Sequence, residues 1–117
     1  MNIHKTYYKI MAKLTFSLCY LGFFFYFIMC SSYVHGKTWC LAQPEASEPQ
    51  LQQVLDYLCG RIDCEEIQPG ASCFDPDTVR KHASYAINMN YRTNGECDGS
   101  YAFFFLTDPS YGTCVYP

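Results

Sequence analysis

The sequence predicts a small disulfide-rich α+β domain of two packed α-helices and a short antiparallel β-sheet, held by three disulfides. Three observations carry this fold class. Six cysteines, Cys40, Cys59, Cys64, Cys73, Cys97 and Cys114, follow a segment with the order of an export signal. An even cysteine set in a short exported chain reads as a disulfide framework rather than as metal or redox ligands. A capped, amphipathic helical pattern runs from Ser47 to Gly60, and beyond Cys97 the residues turn aromatic and β-prone.

The export reading rests on Lys5, Lys9 and Lys13, followed from Leu14 to Cys30 by an unbroken run of apolar, aromatic and small residues. This is the n-region and h-region order of a signal peptide. Segment 1–36 is therefore expected to be the signal and 37–117 the mature module. Val34-His35-Gly36 offers one cut and Ser32 another, while a retained signal anchor is the structural alternative. In each case the basic end stays cytoplasmic and the cysteine-rich part is carried outside. Cys19 and Cys30 lie within the signal and leave the disulfide count. The chain stops at Pro117 without an apolar tail, so no GPI signal is expected.

Residues 37–117 fit one domain. They carry five basic residues, Lys37, Arg61, Arg80, Lys81 and Arg92, against eleven acidic ones, a net of −6. Nucleic acid and anionic lipid require a basic footprint and are excluded as partners. A neutral partner such as a polysaccharide fits better. So short a chain has little core to set against roughly 1.5 kcal/mol of conformational entropy per ordered residue. In the loop-closure model, a bridge spanning tens of residues contributes about 4 kcal/mol and one spanning a handful about 2.

The first helix opens at Ser47-Glu48-Pro49-Gln50, with Ser47 as N-cap, Gln50 completing a capping box and Pro49 in the first turn. Leu51, Val54, Leu55 and Leu58 then follow the spacing of one buried face, and Gly60 is expected to supply a left-handed C-terminal cap. Ile67-Gln68-Pro69-Gly70 predicts a tight turn. A second helix is expected to begin at Asp75-Pro76, as N-cap and N1, and to stop before Asn94-Gly95. Its small residues would let it pack closely on the first. Ser100–Thr107 and Thr113–Tyr116 are expected to pair as antiparallel strands around the Asp108–Gly112 loop.

Catalysis would need two carboxylates at a fixed separation, one of them desolvated enough to stay protonated. Asp56, Asp63, Glu65, Glu66 and Asp98 are available, but on so small a scaffold they read as solvated surface, helix caps or turn partners. His82 has no nucleophile at local spacing and reads as a packed or hydrogen-bonded helix residue. Only Cys59 and Cys64 are close enough to suggest a zinc pair, so no metal and no cofactor are expected. The rings are more informative, because Trp39, Tyr57, Phe74, Tyr85, Tyr91, Tyr101, Phe103, Phe104, Phe105, Tyr111 and Tyr116 exceed what an eighty-residue core can hide. Strand alternation leaves either Tyr101/Phe103/Phe105 or Ala102/Phe104/Leu106 the more exposed set. An exposed ring can stack on the C–H face of a sugar. Trp39 is a candidate for packing over a disulfide.

Several motifs together bear a family likeness: Trp39-Cys40-Leu41-Ala42, Leu51-Gln52, Leu55-Asp56, Cys59-Gly60, Asp63-Cys64, Ile67-Gln68-Pro69-Gly70, Cys73-Phe74, His82-Ala83-Ser84-Tyr85-Ala86, Asn88, Cys97-Asp98, Asp108-Pro109-Ser110-Tyr111-Gly112 and Cys114-Val115-Tyr116-Pro117. The pattern resembles carbohydrate-binding module family 43 of plants. That module is known as the C-terminal domain of β-1,3-glucanases, in plasmodesmal callose-binding proteins and as free secreted pollen allergens. The chain departs from it at a short Tyr91–Cys97 interval, at Asn90 where a tyrosine is common, and at Gly99 where an aromatic is usual.

The resemblance implies two helices, a small antiparallel sheet and long coil segments. Of the fifteen connectivities six cysteines allow, it implies Cys40–Cys97, Cys59–Cys64 and Cys73–Cys114. It further implies a secreted, non-catalytic module of the cell wall or apoplast that binds β-1,3-glucan (callose). Tyr85, Tyr91, Tyr101, Phe104 and Tyr111 are the expected sugar contacts. The module is expected to be a monomer without a stable membrane anchor, with cell-wall glucanases as candidate partners. A disulfide-stapled signalling or adaptor protein, using its aromatic face on another extracellular protein, is the alternative.

Overall fold

The computed structural model describes residues 2–31 and 36–117, which form two units, Met1–Gly36 and Lys37–Pro117. The first holds one helix, α1 (Asn2–Ser31). Its stretch Tyr7–Ile28 is long and apolar enough to cross a membrane, a criterion that a signal sequence near an N-terminus also meets. The expected cleavage between Ser32 and Gly36 falls on positions 32–35, outside the described residues.

The second unit runs β1 (Trp39–Ala42), α2 (Glu48–Cys59), a 3-10 turn (Glu65–Ile67), α3 (Val79–Asn94) and β2 (Ala102–Phe105). This is the expected small α+β domain. The three disulfides join Cys40 to Cys97, Cys59 to Cys64 and Cys73 to Cys114.

In α2, Ser47 Oγ accepts from the Gln50 N–H at 3.3 Å. The box is only half built, because Gln50 Nε2 donates instead to the Ser100 carbonyl, tying α2 to the turn before β2. Leu51 and Leu58 are fully buried, with Val54 and Leu55 half-buried beside them. Gly60 does not take the expected left-handed cap: its φ is −78°. The chain there continues turning, with Arg61 and Ile62 N–H donating to the Leu58 carbonyl, and delivers Cys64 back to Cys59. The left-handed cap instead closes α3 at Gly95, φ 74°, whose N–H donates to Tyr91 O at 2.8 Å. The turn expected at Ile67–Gly70 closes one residue later, where Ala71 N–H donates to Gln68 O at 2.9 Å with Gly70 at φ 85° behind Pro69.

The start of α3 is also corrected. Its N-cap is Thr78, whose extended backbone lets Oγ1 accept from Lys81 N at 3.3 Å; Asp75-Pro76, joined by a cis peptide, lies in the preceding turn. Ala83 and Ala86 of α3 are fully buried, and α3 packs against both α2 and β1.

The sheet has a different partner from the one expected. β2 pairs antiparallel with β1, setting Cys40 opposite Phe104 and Leu41 opposite Phe103. Thr113–Tyr116 forms only an isolated bridge, Tyr111 to Cys114. The Cys40–Cys97 bond ties β1 to the segment between α3 and β2, while Cys114 is bonded to Cys73, outside the sheet. The free edge of β1 is closed by side chains from α3. Cys40 N donates to Asn88 Oδ1 and Ala42 N to Ser84 Oγ, each at 3.2 Å. That pairing, one helical turn apart, accounts for a fully buried asparagine and a nearly buried serine.

Candidate functional site

Successive residues of a strand face opposite ways, and β2 uses this to show rings on both sides of the ribbon. Phe104 is 57% exposed and meets the half-buried Tyr91 of α3 edge-on, ring centres 5.6 Å apart. Tyr91 is fixed in place: its hydroxyl shares a 3.0 Å hydrogen bond with Thr38 Oγ1, and the Arg92 guanidinium stands 5.2 Å over one ring face. Arg92 is itself held by the Pro117 and Thr38 carbonyls. Phe103 and Phe105 lie on the opposite side of the ribbon, 5.9 Å apart.

Phe103 also helps line a groove of about 290 Å³ with Leu41, Arg80, Lys81, Ser84 and Tyr116. Arg80 props one wall by donating to the Gln43 and Ala46 carbonyls at 2.6 and 2.7 Å. Lys81 Nζ lies 4.8 Å over the Tyr111 ring, whose hydroxyl donates to Asp75 O at 2.9 Å.

Of the five expected contacts, Tyr91 and Phe104 are brought together and Tyr111 stands beside the groove through Lys81. Tyr101 is half-buried; burial, then Asp98 and Glu96, raise its phenol pKa. Tyr85 is corrected: it is 5% exposed and packs edge-on against Tyr116, so it has no free face for a sugar. Tyr57 was missed; it is 59% exposed on α2 with Arg61 over its ring. Its place off the Leu51/Leu58 face was the available signal. Phe103 and the groove depend on the ribbon and the Pro109–Tyr116 segment meeting, which no local pattern encodes. Between the two expected exposure sets, it is Phe104 and Leu106 that face solvent, with Ala102 buried.

The charges are arranged unusually. Lys37, Arg61, Lys81 and Arg92 each stand over an aromatic ring, and among the described residues no Lys or Arg forms an ion pair with an Asp or Glu. The acidic residues serve local roles. Asp98 and Asp108 accept from Ser100 and Ser110 N–H two residues on, and these serine hydrogen bonds hold both carboxyls below their usual range. Asp63 likewise receives Glu65 N–H, Glu66 accepts from the Ser72 hydroxyl, and Asp56 accepts from Gln52. His82 is packed as expected, its Nε2 2.7 Å from Phe74 O and its ring tilted on Phe74. Among the described residues no His/Cys/Asp/Glu group could hold a metal.

Residues 38–103 match the X8 domain. Major pollen allergen Ole e 10 of Olea europaea is 42% identical over 88 residues, covering 69% of this chain and 72% of that protein. Plasmodesmata callose-binding protein 2 of Arabidopsis thaliana is 40% identical over 88 residues, 70% of this chain and 45% of that one. Glucan endo-1,3-beta-glucosidase 12 of Arabidopsis thaliana is 45% identical over 87 residues, but the match covers 68% of this chain and only 16% of the glucosidase. The chain thus spans under a fifth of the length of the glucosidases it matches. It belongs to the X8 domain family, and its domain is a non-catalytic, carbohydrate-binding module.

Proposed function

We propose that this module binds β-1,3-glucan outside the cell and that the Phe104–Tyr91 pair is its principal sugar contact. The observation that carries the reading is the exposed Phe104 ring set against the hydrogen-bonded Tyr91 on a domain whose relatives are named for callose binding and for 1,3-β-glucan cleavage. A ring face is electron-rich and the axial C–H face of glucose is slightly positive, so the two attract while burying apolar area. A net of −6 on residues 37–117 favours a neutral polymer over an anionic one. Tyr101, half-buried just before β2, and Tyr111, beside the groove, are further contacts in this reading, and Tyr85 supports the core by packing on Tyr116.

The basic N-terminal end followed by the apolar α1 stretch supports export of the domain, and the disulfides suit an oxidising wall environment. In this reading the module acts as a monomer and shares its substrate polymer with cell-wall glucanases. Affinity electrophoresis tests it: migration should be retarded in a gel containing soluble β-1,3-glucan and not in one containing a soluble β-1,4-glucan. Equal migration in both gels and in plain gel would overturn it.

A further inference from the structure

We propose that the groove lined by Leu41, Lys81, Ser84 and Phe103 is a second glucan contact, so that one domain holds two β-1,3-glucan chains, one on each side of the β1–β2 ribbon. The inference rests on the glucan reading above. Phe103 and Phe104 are consecutive, so their rings point to opposite faces. Lys81 and Tyr91 stand ten residues apart on α3, about 15 Å along its axis. A single extended chain on the Phe104–Tyr91 pair does not also lie in the groove.

The groove's chemistry selects its occupant. Its volume of about 290 Å³ approaches the ~300 Å³ at which small-molecule sites begin. Its walls are apolar at Leu41, Phe103 and Tyr116, and no acidic residue lines it, although the domain carries eleven. Among the described residues Lys81 Nζ has no hydrogen-bond or ion-pair partner, and the Tyr111 ring lies beneath it. An uncharged ligand with a flat C–H face and many acceptor oxygens fits this lining. A peptide strand does not, because strand addition needs a free sheet edge. The β1 edge N–H groups of Cys40 and Ala42 are already taken by Asn88 and Ser84.

The test is titration of the isotope-labelled, disulfide-intact chain lacking residues 1–36, which form a separate unit, with a β-1,3-linked hexasaccharide. Two hexasaccharides per domain are expected, with amide shifts in two groups: one around Tyr91 and Phe104, one around Leu41, Lys81, Ser84 and Phe103. Phe104→Ala should move the first group of shifts to about 2- to 12-fold higher hexasaccharide and leave the second group at its wild-type midpoint. The wild-type domain should also raise light scattering of a long soluble β-1,3-glucan, and excess hexasaccharide should reverse the effect. One hexasaccharide per wild-type domain, or a single group of shifts, would overturn the second contact while leaving glucan binding intact. Failure to bind any hexasaccharide would overturn both readings.

Discussion

Replacing Asn88 with leucine removes the clasp that holds β1 against α3. Asn88 is fully buried; its Oδ1 receives the Cys40 N–H at 3.2 Å and its Nδ2 donates to the Pro117 carbonyl at 2.9 Å. Leucine is close in volume, so cavity formation contributes little and the cost is mainly polar. The Cys40 N–H, on a fully buried residue, loses its partner, which costs about 1–3 kcal/mol. Pro117 O keeps the Arg92 Nε bond at 2.8 Å, so its share is smaller. A total of about 2–3 kcal/mol follows, which for a domain of this size lowers Tm by about 8–24 °C. Ser84→Ala, which strands only the Ala42 N–H, should cost about half as much. Urea unfolding with the disulfides intact measures both. If Asn88→Leu stayed within about 0.5 kcal/mol of wild type, the edge of β1 would not be closed by α3. The register that sets Phe104 opposite Cys40 would then need another explanation.

Phe104 is more than half exposed, so Phe104→Ala should leave the fold intact and weaken glucan binding by about 2- to 12-fold, the ~0.5–1.5 kcal/mol of one aromatic contact. An unchanged affinity would remove it from the site. The bridges Cys40–Cys97 and Cys73–Cys114 span 57 and 41 residues, worth about 4 kcal/mol each by loop closure, against about 2 for Cys59–Cys64. Full reduction should therefore unfold the domain as seen by circular dichroism, whereas replacing Cys59 and Cys64 with alanine should leave it folded; retained native signal on full reduction would contradict this. Burial raises the phenol pKa of Tyr116 most, and also those of Tyr85, Tyr101 and Tyr111. The stability these neutral phenols contribute is present below the unfolded value of about 10 and is lost as pH rises through their native values. Phenolate absorbance from the buried tyrosines should thus appear together with unfolding; full ionisation near pH ~10 in a still-native domain would refute it.

What the sequence made legible was local. Ser47 and the Leu51/Leu58 spacing specify α2 because caps and helical faces lie within a few residues of one another. The exchange of left-handed caps between Gly60 and Gly95 shows the limit: both glycines follow helical patterns, and the disulfide back to Cys59 decides that the chain keeps turning at the first. The β1–β2 pair was hidden for the opposite reason, since its partners are about sixty residues apart and a nearer hairpin was available. Tyr85 and Tyr91 lie on one helix and look alike in sequence. Residues 83–88 of α3 are buried all round, between α2, β1 and the Tyr116–Pro117 segment, so no polar face marks Tyr85 as interior. Tyr91 escapes because it lies near the helix end, where that enclosure stops.

The central claim is glucan recognition without cleavage. Incubating the disulfide-intact domain with insoluble β-1,3-glucan and with cellulose, then measuring bound protein and released reducing sugar, addresses it most directly. Saturable retention on the β-1,3-glucan alone, with no sugar released, is the expected result. Equal retention on both polymers, or none on either, would contradict it.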